Sequence, residues 1–368
     1  MIYLDHASTS FPKPIAVREA VQRWLEELGV DGQRGDGPTA ALVRDVVADT
    51  RARIGARCGL AADRVAFTSG ATESLNLFLR GFLRPGAAVL TTELEHSSVV
   101  RPLNALRAER DLDIEILPVR LDGTLELDLV EERLRARPRD LLAFSHASNV
   151  LGTVLPAAEL CTLARTHGCT TLLDASQSAG AVPFAVGADA IAASAHKGLL
   201  APPGLGFLAV QEGVVVRPSK QGGTGSAAAL EDHPPEWPAA FEAGTPNTPA
   251  IFGLHAALHW LDEHPDAHAR AASLLTGLRD ELAARPGTRI FGPPSGDATA
   301  ILSFVLPDLD PAEVGALLAE ANIIVRTGFH CAPWLHRRLG TEAAGTVRVS
   351  AGPCTSEADI AAVATALG

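Results

Sequence analysis

Between about residues 61 and 210, short apolar runs alternate with longer stretches of helical period, and this alternation constrains the fold more than any other feature. The strand candidates are 65–69, 87–92, 113–118, 141–146, 170–175 and 188–194. Helical patterns fall between most of them, as at 72–83, 97–109 and 156–167. Such a pattern predicts an α/β domain built on a largely parallel sheet. Sheets of this kind place ligands at the carboxyl ends of their strands. The residues that follow each strand are therefore where chemistry is to be sought.

The remainder of the chain reads differently. Residues 211–250 are rich in Gly, Pro and Ser, with the clusters KQGGTGS and HPPEWP, and form a long connection of the kind that is often functional. Helical patterns resume at 248–263 and 268–284, and a turn follows at GPPSGDA, 292–298. Residues 299–368 read strand, helix, strand, loop, strand, helix, which suits a small α+β domain. A length of 368 residues favours two domains, and 47% apolar against 20% charged residues supports a sizeable core.

Charge and cysteine usage exclude several classes. A net charge of −12 gives no footprint for nucleic acid or an anionic membrane. No apolar run approaches the roughly 18 residues of a membrane span. The opening MIYLDHASTS has an acid at Asp5 and no basic region, so no secretory signal is expected. The five cysteines are odd in number, irregularly spaced and without a CxxC pair, which argues against a disulfide framework or a zinc ribbon. A reducing cytoplasm is the expected location, and no metal is expected at the site.

Lysine is rare here: Lys13, Lys197 and Lys220 are the only ones among 31 basic residues, so the setting of each is informative. Lys197 follows a strand, in SAHKG, with Ser194 and His196 before it. A lone lysine is usually a surface residue. Hydroxyl and imidazole donors beside it at a strand end are, however, the kit for a phosphate plus an imine, as in a Schiff-base lysine on pyridoxal phosphate. Other parts of such a site also follow strands. Strand 65–69 runs into Ser69-Gly70-Ala71-Thr72-Glu73 and then a helix, which offers phosphate donors, although the same residues could be an ordinary cap. Strand 170–173 ends at Asp174, with Gln177 three residues on. Asp174 suits a pyridine nitrogen but equally a turn. His96, in ELEHSS, could stack on a ring, and Asn149, in SHASN, could bond a ring hydroxyl.

Taken together, the stretches YLDHASTS with PKP, TSGATES, ELEHSS, SHASNVLGT, DASQSAG, SAHKG, FEAGTPN, RTGFHCAP and GTVRVS resemble the class V aminotransferase family, and within it the cysteine desulfurases. They span residues 3 to 350 in the family's order. The resemblance implies a pyridoxal 5'-phosphate enzyme of fold type I. It implies a large domain, 15–255, with a mostly parallel seven-stranded sheet, and a small α+β domain formed by 1–14 and 256–368. It also implies a homodimer. Lys197 would hold the cofactor as an imine and Asp174 would pair with the pyridinium nitrogen. Gln177 and Asn149 would contact the ring hydroxyl or the substrate, and His96 would stack on the ring and move protons. Ala71, Thr72, Ser194 and His196 would hold the phosphate, and Thr245 would reach the phosphate of the partner subunit. Arg348 would clamp the substrate carboxylate, a task suited to its planar fork.

Cys331 selects the subclass. It lies in Arg326-Thr327-Gly328-Phe329-His330-Cys331-Ala332-Pro333, read as a loop after a strand at 322–326. A lone cysteine is commonly a small buried hydrophobe. Here His330 and Arg326 are expected as cationic neighbours that favour a thiolate. The stretch resembles the short catalytic loop of SufS-like desulfurases. L-cysteine would then become L-alanine, with a persulfide left on Cys331 for a sulfur-acceptor protein. Other class V reactions compete: a C–S lyase acting on a cysteine derivative, a selenocysteine lyase or an aminotransferase. A non-catalytic member would not retain the lysine, aspartate, histidine and arginine set.

Three places depart from the family pattern. A histidine usual near 36–38 is absent from Gln33-Arg34-Gly35-Asp36-Gly37-Pro38. Gly352-Pro353-Cys354-Thr355 replaces an aromatic-Asn-Thr segment. His6 stands where Asn is common.

Overall fold

The computed structural model describes residues 1–30, 32, 36–225, 230–294 and 298–368. Gln33, Arg34 and Gly35, part of the segment that departs from the family, lie outside the described residues, as do 295–297 of the GPPSGDA turn.

In chain order the first elements are β1 (Ile2–Tyr3), α1 (Ile15–Arg23), α2 (Pro38–Cys58), β2 (Val65–Thr68), α3 (Ala71–Phe82), β3 (Ala88–Thr92), α4 (Ser97–Arg110), β4 (Asp113–Leu117) and α5 (Leu127–Ala136). There follow β5 (Leu141–Ser145), α6 (Ala157–Thr166), β6 (Thr170–Asp174), β7 (Ala190–Ser194), β8 (Gly206–Val210), α7 (Thr248–Glu263) and α8 (Ala267–Ala283). The last are β9 (Arg289–Phe291), β10 (Ile301–Val305), α9 (Pro311–Glu320), β11 (Ile323–Ile324), β12 (Arg326–Gly328), α10 (Pro333–Leu339), β13 (Thr346–Ser350) and α11 (Glu357–Ala366).

Seven strands form the main sheet in the order β2-β8-β7-β6-β5-β3-β4. All neighbours are parallel except β8, which runs antiparallel to both β2 and β7. The continuous apolar runs follow from burial on both faces. Because successive side chains alternate, Leu142 and Phe144 of β5 enter one core cluster while Leu141 and Ala143 enter the other. Phe207 and Ala209 of β8 likewise oppose Leu208 and Val210. The fold class expected from the sequence is borne out. The expectation missed β8, a five-residue apolar strand inserted between β2 and β7.

The C-terminal region builds its own core. An antiparallel sheet, β12-β13-β10-β9, packs with α8, α9 and α11 around Leu275, Leu302, Phe304, Val314, Val349 and Val363. Leu4 joins this cluster because β1 pairs in parallel with β11. The division expected at 255/256 falls inside α7, which runs on to Glu263 and packs along α1 and α2.

Two local readings are corrected. The single strand expected at 322–326 is broken at Val325: β11 pairs with β1, whereas β12 pairs with β13. The stretch after Cys331 is helix α10 and not plain loop. Proline at its first turn and an inward face of Trp334, Leu335 and Leu339 favour the helix, and left-handed Gly340 (φ 64°) ends it.

Candidate active site

The carboxyl ends of β2, β3, β5, β6 and β7 open onto one cleft of about 790 Å³. Ala71 and Thr72 at the start of α3, His96 just before α4, Asn149, Asp174, Gln177, Ser194, His196, Lys197 and Arg348 all line it. Of the residues expected from the sequence, Cys331 and Thr245 stand apart. Thr245 lines a separate cavity with Ser69, Glu73 and Lys220.

One end of the cleft is an anion site. No side chain caps α3 at Gly70, so its first-turn N–H groups are available apart from that of Ala71, which donates to Ser194 Oγ at 2.9 Å. The Thr72 and Ser98 hydroxyls are bonded to each other at 2.8 Å. A helix N-terminus with hydroxyls beside it favours a phosphate. Next to it the lysine-bearing turn lies directly on the turn after β6. A Cβ on Gly198 would meet the Ala179 carbonyl oxygen at 2.4 Å, and one on Gly180 would meet the Gly198 oxygen at 2.2 Å. Glycine at both positions is what lets Lys197 approach Asp174.

Burial lowers the Lys197 ammonium to about 8, with the Asp174 carboxylate opposing the shift. Near neutral pH a neutral, nucleophilic amine is thus accessible. Asp174 Oδ1 is held by the Ser176 N–H at 2.9 Å. Behind it lies Glu95, fully buried and unassigned by the sequence reading. Burial, reinforced by Asp174, raises its carboxyl to about 7 despite bonds from Thr92 and Ser145.

His96 N-caps α4, its Nδ1 accepting from the Ser98 N–H at 3.1 Å. A neutral ring so bonded carries its proton on Nε2. Burial and then the Lys197 charge lower its pKa to about 4, with Asp174 opposing, so the ring is neutral at pH 7.

The two arginines form a network with the N-terminal segment. Arg348 is fully buried, and its Nη2 donates to Asp5 Oδ1 at 2.7 Å and Ser8 Oγ at 2.9 Å. Its Nη1 donates to the Asn149 carbonyl at 2.8 Å, while Nε has no partner among the described residues. Arg326 also donates to Ser8 Oγ, at 3.1 Å, and lines the cleft. The sequence reading quoted YLDHASTS without assigning Asp5 or Ser8 a role, because both arginines lie more than 300 residues away in the chain. Asn149 and Gln177 spend part of their capacity on the protein: Asn149 Nδ2 donates to the His330 carbonyl at 2.5 Å, and Gln177 Nε2 to that of Ala7 at 2.9 Å.

Cys331 lines an open groove of about 860 Å³ that shares Thr72, His96 and Ser98 with the cleft. Its carbonyl accepts from the Ser97 N–H at 2.7 Å, which ties the loop to the start of α4. His330 and Cys331 both adopt left-handed backbone, φ 46° and 59°. For non-glycine residues that conformation costs roughly 1–3 kcal/mol each and marks functional sites. The cationic environment differs from expectation. His330 points its Nε2 at Thr346 and is driven by burial to about 2, so it is neutral. The cation beside the thiol is Arg326, with Nη2 3.5 Å from Sγ. Cys58, Cys161 and Cys169 are buried, and burial raises all three thiols well above the usual range. Cys354 is exposed.

These donors suit the expected cofactor. The uncapped helix would suit a phosphate, Asp174 a protonated ring nitrogen, and the Lys197 amine a carbonyl carbon. His196 Nδ1, buried and without a partner among the described residues, lies at the same cleft.

The model of the Aminotransferase class-V family matches residues 2–363. A probable cysteine desulfurase 2 of Mycobacterium leprae is 34% identical over 95% of this chain and 87% of its own. A cysteine desulfurase of Escherichia coli is 33% identical over 90% of this chain and 84% of its own. Among solved structures, an apo cysteine desulfurase from Thermococcus onnurineus superposes with a TM-score of 0.91 at 29% identity, covering 100% of this chain and 93% of its own. The Escherichia coli desulfurase CsdA, in an S-sulfonic acid form, gives 0.88 at 28% identity over 100% and 93%.

Proposed function

The chain belongs to the class-V aminotransferase family, and we propose that it is a cysteine desulfurase that carries the sulfur of L-cysteine as a persulfide on Cys331. The observation that carries this reading is the placement of Cys331, against Arg326, in a groove that shares three residues with the cleft of Lys197.

Lys197, Asp174, Ser194, His196, Thr72 and the first turn of α3 would hold pyridoxal phosphate. Bound there, that group supplies an imine-forming carbonyl and an electron sink for charge developing on the substrate. Arg348, with Arg326, orients the substrate carboxylate, which places the Cα–H bond toward Lys197 and the thiol toward the groove. Lys197 Nζ takes the Cα proton and can return it, a task that fits its lowered pKa. His96 Nε2 holds a proton at the cleft wall. Cys331 Sγ attacks the substrate sulfur as an S–S bond forms and Cβ–S breaks. The electron pair stays with Cβ, which takes up a proton, so cysteine plus the Cys331 thiol gives alanine plus the persulfide. From the open groove the persulfide passes its outer sulfur to an acceptor protein. The enzyme works as a homodimer in the cytoplasm. Thr245, outside the cleft of its own chain, would serve the partner's phosphate.

Alanine and sulfide formed from L-cysteine under reductant test this reading. Wild type should give equal amounts and Cys331→Ala almost none, with the cofactor absorbance unchanged. Pyruvate and ammonia in place of alanine, formed alike by wild type and Cys331→Ala, would instead indicate an ordinary C–S lyase.

A further inference from the structure

On the face where α2 packs against α7, away from the cleft, Asp49, His255 and His259 gather their ligand atoms within 4.8 Å of one another. The histidines are one helical turn apart on α7, with ring centroids at 4.7 Å. Paired imidazoles at that spacing on one helix face are a recurrent way to present two nitrogens to one ion. Asp49 comes from α2, and its Oδ2 lies 2.9 Å from His255 Nε2. All three side chains are partly exposed, so an ion can reach them.

The competing cation is Arg53, whose Nε donates to Asp49 Oδ2 at 2.7 Å. Its Nη1 already reaches Asp262 Oδ2 at 3.2 Å. A metal taking its place on Asp49 therefore leaves the guanidinium with a carboxylate partner.

We propose that Asp49, His255 and His259 bind one divalent transition-metal cation of borderline softness, with zinc as the probe, and that water fills the remaining positions. Two imidazoles and a carboxylate select that class over calcium or magnesium. The ion would join α2 to α7 and stabilise the fold, since the unfolded chain has no such preformed site.

The test titrates zinc by calorimetry into the chelator-treated, cofactor-loaded protein carrying Cys331→Ser and Cys354→Ser, which removes the two accessible thiols as ligands. One ion per chain is expected. Adding His259→Gln should weaken binding by about tenfold or more, at least what loss of a supporting residue around a metal costs. Zinc should raise Tm in the parent and not in that variant, which the exposure of His259 allows to fold normally. Absence of zinc binding, or equal binding by His259→Gln, would overturn the proposal. So would anomalous diffraction that places the ion elsewhere.

Discussion

Arg326 is the cation that meets Cys331, and the neighbouring histidine is not. A guanidinium 3.5 Å from sulfur stabilises developing thiolate charge at any physiological pH, whereas the buried His330 ring stays neutral. Arg326→Gln should therefore slow iodoacetamide labelling of Cys331 several-fold at fixed pH, while His330→Gln leaves the charge beside sulfur unaltered. Unchanged labelling in Arg326→Gln would contradict this assignment. Lys197, Asp174 and His96 were legible in the sequence because each lies at or just beyond the end of a strand, where parallel sheets bind ligands. The Arg326–Ser8–Arg348–Asp5 network was not, since spacing along the chain carries no trace of a contact across its whole length. Nor does adjacency in sequence reveal that left-handed backbone at His330 and Cys331 separates the two side chains.

At the scale of elements, two of the departures from the family pattern form one feature. His6 follows β1, and Gly352 follows β13. A Cβ on Gly352 would lie 2.1 Å from His6 Nδ1, so the imidazole occupies the volume that a side chain at 352 requires. Gly352→Ala should cost roughly 1–3 kcal/mol through overpacking. In a His6→Ala background the cost should shrink, giving a coupling of about 1 kcal/mol or more in urea unfolding. An equal cost in both backgrounds would show that the two positions are independent. Helix α10 and strand β8 were missed because each is short. Seven residues opening on a proline and five residues without alternation give weak periodic signals until packing decides them.

For the whole molecule, buried imidazoles set the acid limit. Burial lowers His6, His96, His146, His196 and His336 to about 4 and His330 to about 2, from 6.5. The unfolded chain takes up these protons near pH 6.5, so it binds more protons than the folded one between that value and about 4. Stability must fall as pH drops through this window. Glu95 acts oppositely: raised from 4.5 to about 7, it favours the folded state below pH 7. It is one group against six. The urea midpoint should hold between pH 8 and 7 and decline steeply below about 6.5. A midpoint that is flat or rising toward pH 5 would contradict this balance. The two-faced sheet was legible because six strand candidates alternated with helices. The division expected at 255/256 lies within α7, whose helical pattern runs unbroken across it.

The central claim is that sulfur moves from the cleft of Lys197 onto Cys331. Its most direct test is mass spectrometry of the protein after L-cysteine is added without reductant and free thiols are alkylated. The account predicts a gain of one sulfur on the peptide that carries Cys331, and none on that carrying the exposed Cys354. Alanine formed with no sulfur on Cys331, or sulfur on Cys354 alone, would contradict it.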